Sequence, residues 1–134
     1  MTLKKQRWVV FLAIIAAICA LVPVVRFARR EAQYTRSLNA FSDVLKPGVR
    51  RSEVEAYLRS RNFYFSQMCC SGEKLNAMDD LVEVGHEKAG LICIERSVYV
   101  AFQFAAVEPN EQWVADSDRL VRTTLFRSVC LDLP

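Results

Sequence analysis

The residues best suited to chemistry are five cysteines and a single histidine in a chain of 134 residues. Cys19 lies in an apolar N-terminal segment, and the other four are Cys69, Cys70, Cys93 and Cys130. An even set of four cysteines behind a signal-like segment predicts structural disulfides in an oxidising compartment. Because adjacent cysteines rarely pair with each other, we expect the vicinal pair to bond separately to the two later cysteines.

A second interpretation of these residues is that they are reduced cysteines of the core, and a third is a metal or thiol-redox site. Thiolate and imidazole groups suit Zn²⁺ or Cu⁺, and four side chains could supply them: Cys69, Cys70, His86 and Cys93. The spacing disfavours this interpretation, since no Cys-x-x-Cys pair is present and two adjacent cysteines do not easily direct both sulfurs to one tetrahedral ion. We therefore expect no metal and no cofactor. His86 is interpreted as a surface or turn residue, because the sequence places no nucleophile and acid around it.

The distribution of charge argues against a nucleic acid as partner. Residues 1–30 contain six Lys and Arg and no acid, whereas residues 31–134 contain twelve Lys and Arg against fifteen Asp and Glu. The basic pI of about 8.7 therefore originates in the N-terminal segment. No phosphate-binding loop, dinucleotide fingerprint or serine-nucleophile elbow is present in the sequence, and we expect no enzymatic activity.

The first element that positions these residues is an apolar segment over residues 8–25. Its eighteen residues carry no charge, and as a helix they span about 27 Å, close to the thickness of a hydrocarbon core. We predict an uncleaved signal-anchor helix behind a basic cytoplasmic tail of residues 1–7, with a cleaved or lipidated signal as the alternative. A short basic tail usually stays in the cytoplasm, so the rest of the chain is expected to be periplasmic or extracellular at a bacterial inner membrane.

Two further helices are predicted after this segment. A juxtamembrane amphipathic helix is expected over residues 26–46, and a second helix follows the Pro47-Gly48 turn. Ser52 and Glu55 match a capping box at its start, and Asn62 is its expected stop. The apolar residues of the first helix recur at helical spacing: Phe27, Tyr34, Leu38, Phe41 and Leu45.

The apolar period changes to two after the second helix, which predicts strands over residues 63–68, 81–84, 91–94, 98–105 and 120–127. Asp79, Asp80 and Glu83 are interpreted as a solvated turn and the outward face of a strand, rather than as a paired-carboxylate site. The expected fold class is α+β: an N-terminal transmembrane helix, then two helices packed on an antiparallel sheet. Residues 47–134 form the predicted extracytoplasmic domain.

The residues from Leu45 to Leu58 resemble the opening of the SmpA/OmlA family of BamE-like domains. The family pattern is Leu-x-x-Gly-Met-Thr-x-x-x-Val-x-x-x-Leu, and Gly48, Val49 and Val54 occupy matching positions before the final Leu. The strand over residues 98–104 and the later Asp-Arg-Leu-Val-Arg of residues 118–122 are similar to the closing hairpin of that family. The resemblance thus covers about residues 45–127.

This resemblance implies two helices on a three-stranded antiparallel sheet, a location outside the cytoplasm, and protein binding rather than catalysis. The chain departs from the family in three respects. It has no lipobox, and Arg59-Ser60-Arg61-Asn62 replaces the Gly-x-Pro that follows the helix in the family. Residues 66–90 also look like an insertion relative to the family.

Together these observations predict a single-pass membrane protein, anchored by residues 8–25, whose outer domain binds or assembles with another protein. The candidate binding residues are the aromatics Tyr99 and Phe102, expected to be exposed on a strand, and Arg50 and Arg51 beside the turn. Two alternatives stay open. One is a thiol-redox or metal-handling protein that uses the vicinal cysteines, and the other is an accessory subunit of a membrane complex that contacts its partner through the anchor helix.

Overall fold

The computed structural model describes residues 3–69, 76–89, 93–107 and 113–128. They form an α+β chain, as predicted, with a long N-terminal helix, a short second helix and a four-stranded sheet. The chain divides into two compact units, Met1–Gln33 and Tyr34–Pro134. The elements are α1 (Leu3–Val44), α2 (Arg51–Ser60), β1 (Phe65–Met68), β2 (Asp79–Ala89), β3 (Cys93–Ala105) and β4 (Arg119–Arg127).

The first unit consists of the apolar part of α1. Every side chain from Gln6 to Arg30 is exposed, including the large apolar ones. The helix is long and apolar enough to cross a membrane, and none of its apolar window is buried by the rest of the chain. These properties are consistent with a transmembrane or signal-anchor segment.

The second unit contains an antiparallel sheet in which the strands follow one another in the order β1-β2-β3-β4. Residues 93 and 94 of the strand predicted over 91–94 and the strand predicted over 98–105 belong to one continuous strand, β3, whereas residues 91 and 92 lie outside the described residues. The strand predicted over residues 81–84 is the middle of the longer β2. The sheet thus has one strand more than the BamE-like resemblance implies.

One face of this sheet packs against the C-terminal part of α1 and against α2. The ring of Phe41 on α1 meets the ring of Phe102 edge-on, with 5.4 Å between centroids. Apolar alternation along β3 places every second residue in this core, which is the burial that drives the unit to fold. The buried core residues are Phe41, Leu45, Val54, Leu58, Ala77, Val82, Val100, Phe102, Phe104 and Leu120.

Helix α2 is capped by distant backbone rather than by its own side chains. Its N-cap is Arg50, which makes no side-chain cap hydrogen bond, so the predicted capping box of Ser52 and Glu55 is wrong. Instead the Arg51 amide donates to the carbonyl of Asp118 at 2.8 Å. The loop before β4 therefore satisfies an amide of the first turn of α2 that lacks an intrahelical acceptor. The predicted stop is confirmed, since Asn62 follows the helix with φ of 59°.

A close approach fixes α1 against β2. Tyr34 is buried, its hydroxyl donates to the carbonyl of His86 at 3.5 Å, and its ring lies over Gly85. A Cβ atom at position 85 would lie 2.8 Å from Cε1 of Tyr34, which is shorter than any van der Waals contact. The absence of a side chain at position 85 therefore lets the Tyr34 ring lie directly against the strand backbone, and a larger residue there would force the ring to shift.

Candidate functional site

One edge of the sheet in the second unit is formed by residues 63–68 and is called here the β1 edge. β1 pairs with β2 on one side, and within the described residues no strand pairs with its other side. Phe63 is anchored, with its ring 5.0 Å from that of Phe41, whereas the side chain of Tyr64 is 90% exposed. The residues from Phe63 to Met68 carry no charge, although natural edge strands are commonly protected by charged residues or proline.

The opposite edge, β4, is protected in two ways. Gly48 donates its amide to the carbonyl of Leu120 at 2.7 Å, and Leu120 donates to the carbonyl of Val49 at 2.8 Å. The turn after α1 therefore pairs with the start of β4. This strand also contains three arginines, which disfavour pairing with another strand: Arg119, Arg122 and Arg127.

The aromatic residues predicted to bind a partner lie on different faces of β3. Phe102 is fully buried in the core beneath Phe41, so the prediction that it is exposed is wrong. Alternation along the strand accounts for this, since Phe102 lies on the face that the helices cover. Tyr99 lies on the other face, is half-buried, and has its ring centroid 6.2 Å from that of Phe126.

The two candidate arginines also differ. Arg50 is exposed, and its Nε donates to Oε1 of Glu53 at 2.7 Å. Arg51 is 0% exposed, so the prediction that it contacts a partner at the surface is wrong. The reason is that Arg51 begins α2 at the point where the helix lies under the loop before β4.

Arg51 is the centre of a buried ion cluster, called here the Arg51 cluster, that joins α2 to the sheet. Its Nη1 donates to Oδ1 of Asp80 at 2.7 Å, and its Nε donates to Oδ2 of Asp118 at 3.2 Å. Its Nη2 donates to the carbonyl of Met78, and the guanidinium lies 4.0 Å from the centroid of the Phe104 ring. One side chain thus connects α2, β2, β3 and the loop before β4.

The Arg51 cluster has one cation and two carboxylates, none more than 1% exposed. Oδ2 of Asp80 and Oδ1 of Asp118 have no hydrogen-bond partner within the described residues. Burial raises the pKa of Asp80 from its usual 3.8 to about 7, against the lowering effect of the Arg51 guanidinium. Asp80 can therefore exchange a proton near neutral pH.

The interpretation of Asp79 and Asp80 as a solvated turn is wrong, because both lie in β2 and both are buried. Sequence reasoning missed the Arg51 cluster since Asp80 and Asp118 lie 29 and 67 residues from Arg51. The one feature of the sequence that could have indicated this cluster is the occurrence of acidic residues directly before or within apolar strand patterns. Tyr64 was placed in a predicted strand, and nothing in the sequence marked it as more exposed than its neighbours.

His86 lies inside β2 and is exposed, so it is a surface residue but not a turn residue. Its Nε2 is 2.8 Å from Oε1 of Glu83, and its Nδ1 is 3.3 Å from Oγ of Ser97. This sequence of contacts has the order of acid, base and hydroxyl found in hydrolases. The side chains of Glu83 and His86 are 42% and 55% exposed, however, and contacts so well hydrated are weakly preorganised for catalysis.

The cysteine predictions fall largely outside the described side chains. Cys19 is a free thiol and Cys69 is disulfide-bonded, but no disulfide is seen in which both cysteines have described side chains. The side chains of Cys70, Cys93 and Cys130 lie outside the described part of the chain, and the pairing stays a prediction. No group of three side chains able to hold a metal is present among the described residues.

Comparison with known proteins identifies no relative of this chain. No protein-family model matches the chain, and no curated protein or solved structure matches it either. The similarity to BamE-like domains over residues 45–127 therefore stays a prediction from the sequence.

Proposed function

We propose that this protein is a single-pass membrane-anchored module that binds another protein on the extracytoplasmic side of a bacterial inner membrane, without catalysing a reaction. The exposed apolar helix behind a basic tail supports the anchor and its orientation. The disulfide at Cys69 supports an oxidising compartment for the second unit.

The observation that carries the binding role is the β1 edge. An extended segment of a partner can add to this edge as a further strand, because the backbone groups on its outer side have no strand to pair with among the described residues. Tyr64 is suited to such a contact, since tyrosine supplies a large amphipathic surface at low entropic cost and is enriched where binding energy concentrates. Phe63, held against Phe41, gives the contact a rigid base.

The anchor contributes to binding without touching the partner. It confines the module to one membrane surface, which raises its effective concentration toward proteins of the same membrane. A contact of modest size at a four-residue strand is therefore sufficient for association. The chemistry of the edge, which is uncharged and rich in aromatic residues, fits a protein segment of β-forming sequence.

Photo-crosslinking tests this proposal in the full chain in its native membrane. A photoreactive amino acid replaces Tyr64 or Ser66 on the β1 edge, or Val121 on the protected β4 edge as the matched control. We expect a discrete protein adduct from the β1 edge and none from Val121. Tyr64→Ala should reduce the adduct formed from position 66 about tenfold, the effect of losing one aromatic contact. Equal adducts from both edges, or none from either, would overturn the proposal.

A further inference from the structure

The Arg51 cluster contains one more acidic group than basic groups, in a place that water does not reach. We propose that this cluster is a proton-binding site in which protonation of Asp80 controls how firmly α2 is held on the sheet. The inference is independent of the binding role proposed above. It rests on the geometry and the charge count of the cluster.

The hydrogen bonds of the cluster leave a defined position for a proton. Arg51 donates to one oxygen of each carboxylate, and the second oxygen of each, Oδ2 of Asp80 and Oδ1 of Asp118, has no partner within the described residues. A buried carboxylate without a full set of donors is costly, and one guanidinium neutralises only one of two negative charges. A single added proton removes the excess charge and turns one unpartnered acceptor into a hydroxyl donor.

Burial is the main reason that Asp80 binds the proton. Burial raises the pKa of Asp80 to about 7, helped by the charges of Glu55 and Asp79 and opposed by the Arg51 guanidinium and a hydrogen bond from Gln67. Asp118 accepts a second hydrogen bond, from the Ala115 amide at 2.9 Å. The groups that face Asp80 are Arg51 and Glu55 from α2, Gln67 from β1, Asp79 beside it in β2, and Asp118 across the shared guanidinium.

The other charges nearby do not cancel the excess. Glu55 is already paired with Arg59, whose side chain is 65% exposed, and it accepts a weak hydrogen bond from Gln67 at 3.5 Å. No other cation contacts Asp80 within the described residues. Proton uptake is therefore the local way to neutralise Asp80.

The raised pKa of Asp80 determines how the attachment of α2 to the sheet changes with pH. Asp80 has a usual pKa of 3.8 when unfolded and a pKa of about 7 when folded, so the folded form keeps its proton to a higher pH. The stabilisation from that proton is complete below about pH 3.8 and is lost progressively as the pH rises to about 7. The attachment of α2 to the sheet is thus weaker at pH 8 than at pH 5.

Hydrogen–deuterium exchange of the α2 amides, in the full chain held in lipid nanodiscs, measures this attachment. After correction for intrinsic exchange rates, the opening constant of α2 should rise up to about tenfold per pH unit between pH 5 and 7 and level off above. Asp80→Asn should remove this dependence. Asp116→Asn, at an exposed aspartate of the same loop as Asp118, should keep it and is the matched control.

A flat profile in the wild-type chain, or a slope that persists in Asp80→Asn, would overturn the proposal. Infrared spectroscopy of the wild-type chain covers the case in which the variant does not fold. A carbonyl band from a protonated buried carboxyl should be present at pH 5.5 and lost with a midpoint near pH 7. Absence of that band at pH 5.5 would equally overturn the proposal.

Discussion

Two ion clusters on the sheet have opposite compositions. The Arg51 cluster places one arginine between two aspartates, all of them buried. In the second, called here the Glu87 cluster, Glu87 lies between two arginines, 2.9 Å from Nη2 of Arg96 and 3.4 Å from Nε of Arg127. The arginines of this cluster are 38% and 30% exposed, whereas the carboxylate between them is largely buried.

The difference shows that access to water, more than the number of charges, decides whether a charge in an ion cluster is hydrated or has to be neutralised within the protein. The positive charges of the Glu87 cluster are carried by side chains that reach solvent, where water can hydrate them. The extra negative charge of the Arg51 cluster has no such outlet, so it must be neutralised by a proton or borne as a cost to stability.

Among substitutions in the two clusters, replacement of Arg51 should lower the free energy of unfolding most. Arg51→Leu leaves two buried aspartates without their shared cation, and the free energy of unfolding should fall by about 3–5 kcal/mol. Denaturant unfolding of the full chain in detergent micelles, followed by near-ultraviolet circular dichroism, measures the loss. Arg50→Leu, at the exposed neighbour, should change stability by less than about 0.5 kcal/mol. Similar losses of unfolding free energy in the two variants would show that the buried arginine contributes no more to stability than the exposed one.

The sequence predicted the parts of the fold that depend on neighbouring residues. The apolar spacing around Phe41, the stop at Asn62 and the strand through Val100 are all local patterns, and the structure has them. The capping of α2 was mispredicted because the acceptor for its first amide is the carbonyl of Asp118, which no local pattern reveals.

The candidate sites were less predictable for the same reason. An aspartate in a strand looks like a surface residue until its partner is known, and the partner of Asp80 lies on another element. Phe102 and Tyr99 are three residues apart, so alternation along β3 places them on opposite faces, and the face on which the helices pack decides which of the two is buried. Exposure of Tyr64 likewise depends on which strand forms the sheet edge.

Removal of the second aspartate should have an intermediate effect. Asp118→Ala leaves Nε of Arg51 and the Ala115 amide without their acceptor, and the expected loss is about 2–3 kcal/mol. The same unfolding experiment measures it, with Asp116→Ala as the exposed control. If Asp118→Ala lowered the free energy of unfolding no more than the control, water would have replaced the missing carboxylate. The Arg51 cluster would then be accessible to water despite its burial.

Change of the central carboxylate in the Glu87 cluster should have the smallest effect. Glu87→Gln should cost about 1 kcal/mol or less, because Arg96 and Arg127 can turn to water. Unfolding in low and high salt sharpens the contrast, since salt should shrink this loss while leaving that of Arg51→Leu nearly unchanged. Equal salt sensitivity of the two losses would remove the distinction between the clusters.

The contact between Tyr34 and Gly85 constrains how this chain can diverge. An alanine at position 85 would lie too close to the ring at position 34, so the ring would have to shift. We therefore expect substitutions at positions 34 and 85, 51 residues apart in sequence, to be coupled in their effect on stability. Gly85→Ala alone should lower the free energy of unfolding, and a smaller side chain in place of Tyr34 should reduce that loss.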